Sequence, residues 1–150
     1  MQKEKYELST DPDVTTFRFL SKGPKGEIPK LVIFQKTTIK NVHNLAFGDW
    51  NEETNDIDDK VISNNNDSEK ILATVASTVL SFTHKYPKSM ILVKGSTLSR
   101  TRLYRIGISN NFEEINQNFD ILGYREETWH PFHKNTDYEA FLVKRKKKRK

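Results

Sequence analysis

One segment constrains the fold of this chain more than any other. Ile71, Leu72, Val75, Ala76, Val79 and Leu80 recur at the spacing of a single helix with a broad apolar stripe, and Tyr86-Pro87 stops the run. Upstream, Asn66 is placed to cap the helix, and Glu69 three residues later completes a capping-box-like pattern. A stripe that wide has to be buried against another element. The flanking sequence supplies one, because both sides of the helix read mainly as strands.

Before the helix, Phe17 and Phe19 alternate within 15–21 as a half-buried strand would. Lys22-Gly23-Pro24-Lys25-Gly26 is turn chemistry, and 30–37 carries Leu31, Val32, Ile33 and Phe34, apolar on both faces and so central in a sheet. Segments 42–50 and 57–63, joined by a polar link, read as an antiparallel hairpin. After the helix comes a buried strand over 90–93, then a short helix over 98–106 ended by Gly107. A second short helix starts near Asn110 and carries Phe112, Ile115 and Phe119. Strands follow over 121–125, 128–132 and 138–143. The expected fold class is α+β: a largely antiparallel sheet packed by one long helix and two short helices.

A length of 150 residues suits one compact domain, expected over 1–143. The last seven residues, Lys144, Arg145, Lys146, Lys147, Lys148, Arg149 and Lys150, are all basic and are expected to form a disordered tail. Removing them from the 25 Lys and Arg leaves 18 against 20 Asp and Glu, so the formal net charge of +5 becomes −2 for the remainder. The basic character is therefore made by the tail, which argues against a whole domain built to coat nucleic acid. The tail itself would attract RNA or DNA without sequence preference.

Cysteine is absent, which excludes disulfides, a thiolate nucleophile and Cys-based zinc sites. No stretch approaches the ~20 apolar residues of a membrane span, and the N-terminal residues lack a signal-like apolar segment, so a cytoplasmic location is expected.

The candidate site is the stretch from Lys94 to Arg105. An apolar strand leads into Gly95-Ser96-Thr97, and a helix bearing Arg100, Arg102 and Arg105 follows. A helix start presents unpaired N–H groups and a positive dipole end, a seat for an anion. Cations are disfavoured there, so something negative is expected nearby. At 100° per residue, Arg102 and Arg105 lie about 60° apart while Arg100 lies on another side, so the three cannot converge through the helix alone. The anion-binding set is Gly95, Ser96 and Thr97 with either Arg100 or the Arg102 and Arg105 pair. The competing reading is structural: Ser96 or Thr97 caps the helix, and the arginines pair with carboxylates. The stretch lacks the Gly-Lys-Ser/Thr ending of a P-loop.

The acidic hairpin (Asp49, Glu52, Glu53, Asp56, Asp58, Asp59) is one source of such carboxylates. Clustered carboxylates can also hold Mg²⁺, but the EF-hand spacing is missing and no metal site is expected. His43, His84, His130 and His133 are scattered; His43 alone adjoins the acidic hairpin, as a candidate acid or base. No aromatic platform for base stacking is evident, and no cofactor is implied.

Several motifs together carry a resemblance: Leu45-Ala46-Phe47-Gly48-Asp49, Asn51-Glu52-Glu53-Thr54 with Ile57-Asp58-Asp59, the run from Glu69 to Ala76, and Gly95-Ser96-Thr97 with Arg100 to Arg105. On these the chain resembles a family of uncharacterised bacterial proteins of unknown function, up to about Val143. The resemblance implies a single bacterial domain and transfers no activity. The function expected from the residues is a binding module for a phosphate-bearing partner, nucleic acid or nucleotide. One alternative is a small toxin-like ribonuclease or nucleotide-processing enzyme using Arg100, Arg102 and Tyr104 with His43 or an acidic residue. The other is a protein–protein interaction module in which the arginines are structural.

Overall fold

A computed structural model describes residues 4–51, 53–54, 56–58 and 65–146. Packing gathers the chain into two compact units, Met1–Gln35 with Leu45–Lys85, and Lys36–Asn44 with Tyr86–Lys150.

In the first unit, β1 (Ser9–Thr10), β2 (Thr16–Gly23), β3 (Gly26–Lys36) and β4 (Val42–Asn51) lie in that order, and β5 (Asp56–Asp58) pairs with β4. The β2–β3 ladder is antiparallel and pairs Phe17 with Val32 and Phe19 with Lys30, so these four share a face. Helix α1 (Ser68–Lys85) covers that face, and its Phe82 stacks on Phe34 with ring centroids 4.3 Å apart. Tyr6, Phe19 and Phe47 form a second stack, at 5.7 and 6.2 Å. The helix begins one residue later than the capping pattern predicts. The Asp67 carbonyl accepts the first helical bond from Ile71 N–H at 2.9 Å, while Asn66 takes a left-handed φ of 59°.

The turn beside this helix is closed by Asn65, which is buried. Its side chain donates to Ser21 Oγ and the Gly26 carbonyl and accepts from Lys25 N–H at 2.7 Å. A Cβ at Gly23 would lie 2.1 Å from the Asn65 carbonyl oxygen, so only glycine fits the corner.

The second unit contains β6 (Met90–Val93), α2 (Leu98–Asn110), α3 (Phe112–Asn116), β7 (Phe119–Arg125), β8 (Thr128–Pro131) and β9 (Ala140–Arg145). Its strands run β6-β9-β7-β8 through antiparallel ladders, over a core that includes Ile91, Phe119, Ile121 and Phe141. The strand arrangement is mixed, which corrects the largely antiparallel one expected from the strand-rich ends, because apolar periodicity marks a strand without fixing its direction.

Three boundaries also shift. Gly107 does not end α2, because the helix runs on to Asn110 and Asn111 closes it, with its side chain on the Gly107 carbonyl at 2.8 Å. Phe119 belongs to β7 rather than to the short helix whose spacing it shares. The supposed tail starts late: Lys144 pairs with Met90, Arg145 pairs with Phe119, and Lys146 N–H donates to the Asn118 carbonyl at 2.9 Å. Lys147 to Lys150 lie outside the described residues. No helix among the described residues is long and apolar enough to cross a membrane.

Candidate anion-binding groove

The Gly95 turn is a closed structural joint. Gly95 is buried and its N–H donates to Thr101 Oγ1 at 3.0 Å. A Cβ there would lie 2.4 Å from the Thr101 nitrogen. Thr97 is the N-cap of α2: its hydroxyl accepts from Arg100 N–H at 3.2 Å and its carbonyl from Thr101 N–H at 3.1 Å. Two N–H donors of the turn and helix start, those of Gly95 and Arg100, are thus satisfied by threonine hydroxyls within the segment itself.

The arginines disperse as helical geometry requires. Arg100 is half-buried and Arg102 exposed, whereas Arg105 places Nε 3.5 Å from Asp137 Oδ1, at ion-pair distance. Ser96 and Leu98 are exposed, Leu98 to 89%. Tyr104 is packed into the core, 5% exposed, so it is not presented to a substrate as the ribonuclease reading requires. His43 is half-buried, and burial lowers its pKa, with the charge of Lys36 adding to the effect and a backbone hydrogen bond with Asn41 opposing it.

The acidic hairpin finds an internal partner elsewhere. Asp49 forms an ion pair with Lys30, whose side chain is only 5% exposed. In the β4–β5 ladder Asp49 sits opposite Asp58 and Asn51 opposite Asp56. Glu52 and Asp59 lie outside the described residues, and no cluster of three His, Asp or Glu side chains suited to a metal occurs among the described ones.

The first unit instead contains a groove of about 660 Å³ that the sequence does not announce. The N-terminal segment from Lys5 to Ser9 lines it together with residues of β2 and β3, Trp50 of β4 and Lys70 of α1. Five cations contribute, Lys5, Arg18, Lys22, Lys30 and Lys70, against one carboxylate, Glu7. Lys30 is paired with Asp49. Among the described residues, no carboxylate lies within ion-pair distance of Lys5, Arg18, Lys22 or Lys70.

Strand geometry explains part of this. Along β2, Phe17, Phe19 and Ser21 are buried, and the alternate residues Arg18, Leu20 and Lys22 are exposed. Arg18 reaches across β3 to lie over the indole of Trp50, its guanidinium carbon 5.1 Å from the ring centre. Lys70 Nζ sits 4.3 Å from the centre of the Tyr6 ring. The wall carrying Tyr6 is tied down at several points. Tyr6 N–H donates to Thr74 Oγ1 at 2.9 Å, and its hydroxyl donates to Asp67 Oδ2 at 2.6 Å and accepts from Lys22 N–H at 3.0 Å. Ser21 Oγ donates to the same Asp67 oxygen at 2.6 Å.

Sequence reasoning missed this site because Tyr6, Arg18, Trp50 and Lys70 are far apart in the chain. The available signal was the Arg18–Lys22 spacing on the outward side of an alternating strand. No curated protein and no solved structure matches the chain. A family model matches residues 2–146, nearly the whole length. The chain therefore belongs to the family of unknown function DUF6934.

Proposed function

We propose that the protein binds a phosphate-bearing ligand, nucleic acid or nucleotide, and holds it in the groove beside the N-terminal segment rather than at the Gly95 turn. The observation carrying this reading is the charge imbalance of the groove: Lys5, Arg18, Lys22 and Lys70 have no carboxylate at ion-pair distance among the described residues. Guanidinium and ammonium groups collected around one concavity match the oxygens of a phosphate. At the Gly95 turn, by contrast, the Thr101 and Thr97 hydroxyls already accept from the Gly95 and Arg100 N–H groups.

Fluorescence anisotropy with a fluorescein-labelled uridine decamer at low salt tests the assignment. Full-length protein should bind, and the double variant Arg18→Glu with Lys70→Glu should lose about tenfold or more in affinity. Arg102→Glu, an equal kind of charge change outside the groove, should do much less. Equal losses from the two, or no loss from the groove variant, would refute the assignment.

A further inference from the structure

Resting on that reading of the groove, we infer that its ligand is a single-stranded polynucleotide, with an unpaired base stacked on the Arg18 guanidinium and successive phosphates meeting the lysines. Arg18 is exposed, and its planar cation is backed by the Trp50 indole at 5.1 Å. A guanidinium laid on an aromatic ring is held in one orientation, so little freedom is lost when a second flat group stacks on it. Nucleobases stack on arginine planes and on aromatic rings, and they do so without sequence preference because every base has a π-face. Only an unpaired base offers that face. In a duplex the faces are occupied by neighbouring base pairs, which leaves phosphates alone for Arg18 to meet.

The placement of the lysines separates a strand from a mononucleotide. Lys70 is held at the Tyr6 ring and Arg18 at the Trp50 ring, so the two cations are fixed on different rings. Arg18 and Lys22 stand four residues apart on β2, about 13 Å along the strand. Charges distributed in this way suit several phosphates in series more than the single phosphate of one nucleotide. The exposed Lys5 extends the same lining at the N-terminal segment.

The test uses the full chain in a Trp129→Phe background, which leaves Trp50 as the reporting tryptophan. The probes are a uridine decamer, an RNA duplex of ten base pairs, uridine monophosphate and inorganic phosphate. The decamer should quench Trp50 and bind about tenfold or more tighter than the other three probes. Its affinity should fall with salt at a logarithmic slope of about −2 to −3 or steeper, roughly four phosphates being neutralised in the groove and the basic C-terminal residues adding to them. Arg18→Lys keeps the charge but removes the plane; it should weaken decamer binding about fivefold or more and reduce the quench, while leaving the salt slope near its original value. The basic C-terminal residues are present in both proteins, so their contribution cancels between the parent and Arg18→Lys, and the duplex, a polyanion of comparable length, controls for their attraction to charge alone. Duplex or monophosphate binding as tight as the decamer would overturn the single-strand inference, as would an unaltered Arg18→Lys. Failure of all four probes to bind would overturn the phosphate-binding reading beneath it.

Discussion

Tyr6 donates its hydroxyl to Asp67 Oδ2 at 2.6 Å, joining residues 61 apart in the chain. Asp67 sits at the start of α1 and also accepts from Ser21, so one carboxylate ties the N-terminal segment and β2 to the helix. Burial raises the Tyr6 pKa, and the hydrogen bond to Asp67 raises it further, since a phenolate would face a carboxylate. The hydroxyl therefore stays protonated and remains a donor. Tyr6→Phe keeps the ring stacked on Phe19 but deletes that donor. It should cost about 1–2 kcal/mol in urea denaturation and speed hydrogen exchange at the Tyr6 amide, which Thr74 protects. Unchanged stability together with unchanged exchange would mean that the bond does not hold the groove wall.

Lys30, another residue of the groove lining, is held by its ion pair with Asp49. Lys30 is 5% exposed, and a buried ammonium is tolerated only with a partner. Asp49→Ala should therefore destabilise by about 3–5 kcal/mol, whereas replacing both residues, Lys30→Met with Asp49→Leu, should come out near neutral. Chemical denaturation of the two variants checks this. A double variant as unstable as Asp49→Ala would show that the pair contributes more than mutual neutralisation.

Elements with strong local periodicity were legible in the sequence, and relationships that depend on register were not. The stripe from Ile71 to Leu80 identifies α1 because six apolar residues repeat with a helical period, and Pro87 bounds it. Its start shifts to Ser68 because Asp67, rather than Asn66, provides the first helical carbonyl. Phe119 fits a helical i, i+7 position and a strand face equally well, and its pairing with Arg145 decides the matter only in three dimensions. Lys144 and Arg145 read as tail by charge, yet ladder bonds to two neighbouring strands hold them in β9. The groove was hidden for the same reason. Arg18 meets Trp50 only after β3 is placed between β2 and β4, and Lys70 meets Tyr6 only after Asp67 anchors the N-terminal segment.

Thr97 and Arg102 separate the structural and ligand-binding readings of the Gly95 turn. Thr97→Ala removes the acceptor for Arg100 N–H and should lower stability by about 1 kcal/mol. Arg102 is exposed, and Arg102→Glu places a negative charge in the second turn of α2, where the dipole tolerates it, so the thermal midpoint should change little. Thermal unfolding followed by circular dichroism distinguishes the two. A large loss from Arg102→Glu would reveal a partner for that arginine and reopen the turn as a charged site.

His43 makes stability depend on pH in a predictable direction. Burial holds its pKa below the ordinary 6.5, and the neighbouring Lys36 charge pushes the same way. Between the folded and unfolded pKa values the unfolded chain binds more protons, so unfolding free energy rises with pH there. The penalty is fully present below the folded pKa, where His43 must be charged in the native state, and it vanishes above about pH 6.5, where both states are neutral. Asp11 gives a slope of the same sign at lower pH. Burial pushes its pKa up, but hydrogen bonds from Thr16 N–H and from the hydroxyl and N–H of Thr15 outweigh that and lower it. Proton NMR titration of the His43 ring should give a midpoint below 6.5, and Lys36→Gln should raise it. Replacing His43 with Asn should flatten the stability profile between about pH 5 and 7, leaving the Asp11 slope below it. A His43 midpoint at or above the ordinary value would contradict the partly desolvated imidazole on which this pH dependence rests.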